Sequence, residues 1–387
     1  MVAAASHPSR RKPKQQKERR PIHGGGWPVP SSSKFRVAPV KGSGLGVVAT
    51  ARIVPGDLVL AERPLFLVTS DEMSVARYQG RDAEEAMVRA HLDGLTKEET
   101  AAFWCLSDCH ASEAEKSAFG IWQTNAIATG EDGSTTTSNG LYLLGARFNH
   151  SCAPNVNRCW IQELQKEVFY ATQEVEPGEQ LCIYYIDIKG VRAERQATLE
   201  KTFHFTCCCE VCSLQRPERE ASDKARQEYQ QLDKDIPQLA DEPERALQLI
   251  FRLLEIIESE MDGDPHLAQR AFYDGFQMAL LSGDLELAGD FMQRAYEAKV
   301  LAEGEHDGTK RLKAYAEDPT SHPIAREAEL GLCQVCDSDW PAASAASPAH
   351  TQASLTNEPI ERNAKSGGEV EQCNGSMSGA FDIGAMD

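Results

Sequence analysis

Four cysteines from two separate stretches constrain this chain more than any other feature. Cys152 stands alone in the polar heptapeptide Asn149–Asn155, and Cys207, Cys209 and Cys212 form a C-x-C-x-x-C run. Four sulfurs complete a tetrahedral structural zinc site, which leaves no open position for water or substrate. We therefore predict that these cysteines bind one zinc ion and that the ion holds the two stretches together.

The other cysteines are predicted not to bind metal. Cys208 lies between two ligands of the run, so on an extended segment its side chain points to the opposite face. Cys105 and Cys109 are four residues apart, which would place them on one helix face, but no further ligand pair is near them. Cys333 and Cys336 likewise form a C-x-x-C without a second pair. Twelve cysteines without an export signal indicate reduced thiols and metal ligands rather than disulfides.

Charge is distributed unevenly along the 387 residues, a length that suits two or three domains. The first 41 residues carry ten lysines and arginines and one glutamate, although the whole chain has a net charge of −19. Residues 1–33 are predicted to be a disordered basic arm, either a nuclear-localisation or phosphate-contacting segment or only a solvated tail. The acidic remainder disfavours nucleic-acid binding through the broad surface and favours a basic partner.

No apolar run is long enough to cross a bilayer, so no membrane association is expected.

Short strands joined by proline and glycine turns, together with helical stretches, predict an α+β fold. The glycine-rich turn Lys41–Gly46 leads into the strand-like segment Val47–Ile53, and no helical pattern follows it, which excludes a Rossmann site. Residues from about 71 to 119 are charged, alanine-rich and free of proline, which predicts a helical insertion. Ile121–Ala126 is predicted to be strand or loop, and Leu181–Ile186 a strand.

The last part of the chain is predicted to be helical over residues 213–336. Apolar residues recur at helical spacing within Leu247–Ile257, and two more amphipathic segments cover 267–281 and 285–302. They indicate antiparallel helical hairpins similar to tetratricopeptide-type repeats. Such helices serve as a wall of a substrate cleft, as a docking surface, or only to stabilise the preceding domain. Residues 337–387 are rich in alanine, serine and glycine and are predicted to be disordered.

The order of the motifs resembles the SET domain of protein-lysine methyltransferases. After the glycine-rich turn come Arg147–Asn155, then the turn Glu176–Glu179 with a strand ending in tyrosine, then Phe205–Cys212, which is similar to a post-SET zinc motif. The resemblance implies a β-rich SET fold over residues 34–212 with a helical insertion, followed by an α-helical C-terminal domain. It is nearest to the SET-and-MYND type and to fungal SET proteins, with the MYND finger absent because the insertion holds only two cysteines.

The resemblance implies S-adenosyl-L-methionine as cofactor, structural zinc, and the side-chain amine of a protein lysine, histone or non-histone, as acceptor. It implies that the zinc ligands are Cys152, Cys207, Cys209 and Cys212. It implies that the cofactor-binding residues are Lys41, Gly42, Ser43, Gly44, Leu45, Asn125, Asn149, His150, Tyr185 and Phe205. A monomer in the nucleus, the cytoplasm or both, acting on proteins such as those of chromatin, is expected.

The resemblance also implies that Tyr185 supplies the catalytic hydroxyl in a narrow substrate channel walled by Tyr184 and Phe203. Methyl transfer to an amine needs in-line alignment rather than a covalent enzyme intermediate. A low-dielectric channel lowers the pKa of the entering lysine, so no dedicated base is assigned. Phe203 stands where relatives often have tyrosine. The alternative of a non-catalytic SET protein that acts as an interaction module therefore stays open.

Overall fold

The computed structural model describes residues 29–111, 115–130 and 138–325. The basic arm before residue 29, the predicted tail 337–387 and the Cys333–Cys336 pair lie outside these residues. Val29, inside the segment predicted to be disordered, packs against the hydrophobic core beside the first strand. In the described ranges, no helix combines the length and the apolar character that crossing a bilayer requires.

Three small sheets form the β-rich part of the described chain. Their strands are β1 (Phe35–Val40), β2 (Gly44–Ala49), β3 (Leu58–Glu62), β4 (Phe66–Thr69), β5 (Ala126–Thr129), β6 (Ser138–Leu141), β7 (Asn149–His150), β8 (Val156–Ile161), β9 (Lys166–Ala171) and β10 (Gln180–Ile183). The sheet orders are β1-β2-β10-β7, β3-β9-β8 and β4-β6-β5. Turns with positive φ at Gly42, Gly56 and Gly178 reverse the chain between strands, a conformation that glycine adopts without strain.

Helices occur in the insertion, at the end of the β-rich part and throughout the C-terminal part. They are α1 (Ser70–Gln79), α2 (Arg81–Asp93), α3 (Lys97–Trp104), α4 (Ala118–Asn125), α5 (Arg192–Phe203), α6 (Arg216–Asp235), α7 (Pro243–Glu260), α8 (Pro265–Leu281), α9 (Leu285–Glu303) and α10 (Asp307–Glu317). The α+β class is thereby confirmed. Capping boxes begin α1 at Thr69 and α3 at Thr96, where threonine side chains accept from the third backbone N–H of the helix.

The structure corrects two predictions, one in the predicted insertion and one directly after it. Ile121–Asn125 is helical rather than strand or loop, because Ser117 caps α4 and its hydroxyl accepts from the Gly120 N–H at 2.8 Å. Almost every residue of α4 is buried, so the apolar run carries no 3.6-residue period and resembles a buried strand in the sequence. Cys105 and Cys109 do not share a helix face, since α3 ends at Trp104 and the chain then turns.

The C-terminal helices form one apolar core and dock onto the β-rich part. Phe276, Met292 and Ile250 are fully buried at the centre of this core. Helix α9 lies against β8 and β9, where the Asn157 side-chain amide donates to the Ala302 carbonyl at 3.0 Å. Tyr184, which follows β10, is buried in the same core as the helices. The helices therefore contact the segment that contains the predicted channel tyrosines.

Candidate active site and metal centre

One cavity of about 310 Å³ lies where β2, β7, β10 and the ends of α4 and α5 meet. Most of the predicted site residues line it: Gly42, Ser43, Leu45, Asn125, Asn149, His150, Tyr184, Tyr185, Phe203 and Phe205. Lys41 and Gly44 are exposed in the same turn and do not line it. A cavity of this volume, with apolar walls and a few convergent polar groups, suits a small-molecule ligand.

The strand register explains why Asn149 and His150 face this cavity. They form the short strand β7, which pairs in parallel with Cys182 and Ile183 of β10. The Asn149 amide donates to the Leu45 carbonyl at 3.3 Å and so joins the motif to the glycine-rich turn. Gly46 permits this approach, because a Cβ atom there would lie 2.7 Å from the Asn149 amide nitrogen.

The four predicted zinc ligands converge beside the cavity. Their Sγ atoms all lie within 4.8 Å of one another, and those of Cys152 and Cys212 are 3.6 Å apart. Sulfurs at about 2.3 Å from a tetrahedral zinc ion would be about 3.8 Å apart, so this donor set fits zinc. Cys208 is exposed and takes no part. In the described ranges this is the one group of three or more potential ligands at such distances.

His150 connects the cysteine cluster to Tyr185. Its Nδ1 accepts the Tyr185 backbone N–H at 2.9 Å, and its Nε2 lies 3.3 Å from the Cys152 sulfur. Because Nδ1 accepts, the neutral ring carries its proton on Nε2, directed at the sulfur. Burial lowers the pKa of His150 to about 4, which keeps the ring neutral near pH 7. A thiolate at Cys152 would therefore hold this tautomer and orientation.

A hydrogen bond and aromatic neighbours fix the Tyr185 side chain. Its hydroxyl donates to the Phe148 carbonyl at 2.6 Å. Burial raises its pKa, so the hydroxyl stays protonated at all physiological pH values. The ring centroid lies 5.1 Å from Phe203 and 5.5 Å from His150, and Phe205 lies 6.2 Å from His150. These rings enclose one side of the cavity.

Asn125 lines the cavity, but its amide nitrogen is engaged within the protein. It donates to the Ser107 carbonyl at 2.7 Å and to the Ile121 carbonyl at 2.6 Å. The first of these bonds holds the end of α4 against the loop after α3, and the second lies within α4 itself. Only the side-chain oxygen of Asn125 is left for a ligand.

Several cavity residues were not singled out from the sequence. Arg147 and Arg158 line the cavity, and Arg158 pairs with the buried Glu167 carboxylate at 3.1 Å. The sequence could have indicated Arg147, because it belongs to the Arg147–Asn155 motif. Nothing in the residue pattern of β8 distinguishes Arg158 as a cavity residue. Cys109 also lines the cavity, where its sulfur accepts from the Thr124 hydroxyl at 3.3 Å.

A pair of histidines lies at the edge of the cavity. His110 Nδ1 and His204 Nε2 are 3.2 Å apart, although the residues are 94 positions apart in the chain. Each histidine is adjacent to a residue that lines the cavity, namely Cys109 and Phe203. The pair therefore joins the insertion to the end of α5 directly beside the predicted channel.

Comparison with known proteins finds relatives for most of the chain. The SET domain family matches residues 44–186. The histone-lysine N-methyltransferase set5 of Schizosaccharomyces pombe is 32% identical over 295 residues, which cover 75% of this chain and 86% of that protein. The chicken protein-lysine N-trimethyltransferase SMYD5 is 30% identical over 93 residues, 23% of this chain and 22% of its own length. The chicken N-lysine methyltransferase SMYD2 is 35% identical over 75 residues, 19% and 17% of the two chains.

Proposed function

The chain belongs to the SET-domain family of protein-lysine methyltransferases and is an enzyme of that class, and we propose that it transfers the methyl group of S-adenosyl-L-methionine to the side-chain amine of a protein lysine. The observation that carries this proposal is the convergence of Asn149, His150, Tyr185 and Phe205 on one cavity beside four clustered sulfurs. In this proposal residues 34–212 form the catalytic unit and residues 213–336 the helical C-terminal domain.

The cavity supports a nucleoside cofactor at its glycine-rich end. No atom lies within 4 Å of a Cβ built on Gly42 or Gly44, so the turn leaves open space in which a ligand can approach the backbone. We assign the Asn149 side chain and the His150 backbone to the polar contacts, and the Phe205 ring to the aromatic base. The cofactor, when bound, supplies an activated methyl group on a sulfonium.

The lysine channel is assigned to Tyr184, Tyr185 and Phe203. The protonated Tyr185 hydroxyl, held by the Phe148 carbonyl, places a fixed dipole at the reacting end. Two aromatic walls exclude water and lower the local dielectric constant, which favours the neutral amine of an entering lysine. The lone pair of that amine is then aligned for in-line attack.

Zinc is assigned a structural role at the four cysteines. Four thiolate ligands would fill its coordination sphere, so it would not act on the substrate. It would hold the loop after α5, with Phe205, against Cys152 and the motif strand β7. The hydrogen bond from His150 towards Cys152 would carry this support to Tyr185.

A basic protein segment is the substrate class that the charge distribution favours. The chain's net charge is −19, and acidic surfaces attract lysine-rich segments. The Schizosaccharomyces pombe relative is named for histone lysine, and histones are the first substrates to test. A nuclear or cytoplasmic monomer that acts on chromatin or on other lysine-rich proteins is the corresponding proposal.

The test combines cofactor binding with turnover. Zinc-loaded protein is titrated with S-adenosyl-L-methionine in a calorimeter and then incubated with labelled cofactor and a histone mixture or a cell extract. We expect binding, and labelling that Tyr185→Phe reduces by at least about tenfold while cofactor affinity is retained. Tyr170→Phe is the matched control, since this half-buried tyrosine lies outside the cavity.

Absence of cofactor binding by zinc-loaded protein would overturn the assignment of the cavity. Unchanged labelling by Tyr185→Phe, with Tyr170→Phe also unchanged, would remove Tyr185 from the catalytic role. Labelled products are then mapped by mass spectrometry, which identifies the lysine and the number of methyl groups transferred.

A further inference from the structure

Two buried arginines lie near the cysteine cluster, and within the described residues neither forms a close ion pair with a carboxylate. Arg195 on α5 is 2% exposed and Arg226 on α6 is 0% exposed. Two other buried cations of the described chain have carboxylate partners: Arg158 pairs with Glu167, and Lys189 with Asp187 and Asp233. The buried Arg147 instead donates to the Cys105 carbonyl. Burying a guanidinium without a negative charge nearby is unfavourable, because the charged group loses its hydration. A negative charge near Arg195 would offset this cost, whereas Arg226 already interacts with the Glu260 carboxylate.

The contacts of Arg195 point to the sulfurs. Its Nη2 lies 3.9 Å from the Cys212 sulfur, its Nη1 donates to the Gly190 carbonyl, and its Nε is buried without a partner. The Cys152 sulfur also interacts electrostatically with Arg195. Carbonyl oxygens satisfy N–H groups but do not neutralise a charge, so the sulfurs are the nearest source of compensation.

Arg226 extends the charged group towards the C-terminal helices. Its Nη1 donates to the Ile188 carbonyl, and its Nη2 donates at 3.0 Å to the carbonyl of Glu260, the last residue of α7. The carbonyl end of a helix carries only a partial negative charge. The groups that interact electrostatically with Arg226 are Arg195, the Glu260 carboxylate and the Cys152 and Cys212 sulfurs.

Four thiolates around a zinc dication leave a formal charge of minus two, which two guanidinium groups balance. We propose that Arg195 and Arg226 are the counter-charge of the four-cysteine zinc centre, and that they act as positioning residues for Tyr184 and Tyr185. This inference rests on the zinc centre proposed above. The two arginines hold the carbonyls of Ile188 and Gly190, in the segment that directly follows the two tyrosines.

As a consequence, zinc binding should influence how firmly the wall of the lysine channel is held. Tyr184 and Ile188 are buried in the apolar core of the C-terminal helices, where Arg226 also fastens the end of α7. Four thiols without a metal provide no counter-charge for two buried cations. Loss of the ion is therefore expected to loosen the segment after Tyr185 and its contact with α6 and α7, in addition to the loop that carries the cysteines.

The test measures zinc affinity and stability in matched arginine variants. Arg195→Met and Arg226→Met remove the charge and keep an unbranched apolar chain, and Arg195→Lys restores the charge. Arg192→Met is the control. Arg192 also contacts the cysteine loop, since it donates to the Cys212 carbonyl at 2.7 Å, but it is only half-buried and its charge reaches solvent. Zinc affinity is determined by competition with a chromogenic chelator, and unfolding is followed with and without zinc.

We expect Arg195→Met and Arg226→Met to lower zinc affinity by about tenfold or more, the size of a charge-assisted contact in the interior. Arg195→Lys should recover part of the loss, and Arg192→Met should change little. Both Met variants should lower the melting temperature of zinc-loaded protein, whereas in stripped protein they should leave it unchanged or raise it. Amide hydrogen exchange over residues 186–190 should be faster in both Met variants and in stripped wild type.

Equal zinc affinity in wild type and both Met variants would overturn the inference, as would an equal loss of stability with and without zinc. If stripped protein does not fold, the chelator competition on loaded proteins decides alone. Failure of wild type to bind one zinc ion would instead overturn the metal centre itself, so the two failures are distinguishable.

Discussion

The catalytic side of the SET region and the C-terminal helices are stabilised in different ways. Among the described residues, the buried cluster around the cysteines contains six residues, three of them cysteines, so apolar burial alone contributes little there. The helical core contains 24 buried residues of the same described ranges, among them Phe276, Ile250 and Met292, and is held by side-chain packing. The side of the site that carries the cysteines thus depends on polar contacts between distant segments, and the helices depend on apolar area. Substitutions that remove one kind of contact should affect one region first.

The largest effect is expected at the cysteines. Cys209→Ser should reduce zinc affinity by on the order of a hundredfold or more, because one of four thiolates is lost, and methyl transfer should fall with it. Cys208→Ser is the matched control one position away, and its exposed side chain lies outside the cluster. Zinc content by elemental analysis and labelled methyl transfer measure both. Equal zinc content in the two variants would contradict the four-cysteine centre.

A core substitution in the C-terminal helices should lower the stability of the fold and leave zinc affinity unchanged. Phe276→Ala removes a fully buried ring and should lower the free energy of unfolding by about 3–5 kcal/mol. Phe251→Ala on α7 is the control, because this ring is 47% exposed and should contribute less than about 1 kcal/mol. Urea denaturation gives both values. The zinc affinity of folded Phe276→Ala should stay near that of wild type. A large loss of zinc affinity would show that the cysteine site also depends on apolar packing in the helices.

The helical region should also respond to acid through His322. Burial lowers the pKa of His322 to about 4, and its Nδ1 accepts the Ile324 N–H at 3.3 Å while Nε2 contacts the Tyr273 hydroxyl at 2.9 Å. The unfolded chain binds this proton near pH 6.5, so the neutral ring's contribution is complete above that value and is lost as pH falls to about 4. The expected loss is about 3 kcal/mol.

The control for that titration is His322→Gln, which keeps a polar side chain and cannot ionise in this range. The pKa values of Glu62 and Glu167 are raised to about 7 by burial, so these carboxyls change stability in the opposite direction as pH falls. The difference between wild type and variant, measured by denaturation from pH 7 to pH 4, therefore isolates the histidine. A constant difference over that range would assign His322 no role in acid sensitivity.

The sequence could anticipate the site better than the contacts that support it. Cys152 and the C-x-C-x-x-C run were recognisable because metal ligands have few alternatives and a fixed number. Helix α4 was not recognisable from the sequence, since burial on all sides removes the periodicity by which helices are recognised. The burial of Arg195 and Arg226 was not predictable, because an arginine in a charged helix has no local signal for burial. The pairing of His110 with His204 also has no signal in the sequence, because only the folded chain brings these positions together.

The smallest expected effect tests that last pairing. His204 ends α5 with φ +56°, a conformation that costs a non-glycine residue energy, and it contacts His110 at 3.2 Å. His204→Ala keeps the strained conformation and loses the contact, so the free energy of unfolding should fall by about 1 kcal/mol. His204→Gly loses the same contact but adopts positive φ freely, so it should be more stable than the alanine variant. Equilibrium denaturation of both, beside His110→Ala, separates strain from contact. If the alanine variant matches wild type, the histidine pair adds nothing, and other contacts hold the insertion at the cavity, such as those of Asn125 with the Ser107 carbonyl and of Arg147 with the Cys105 carbonyl.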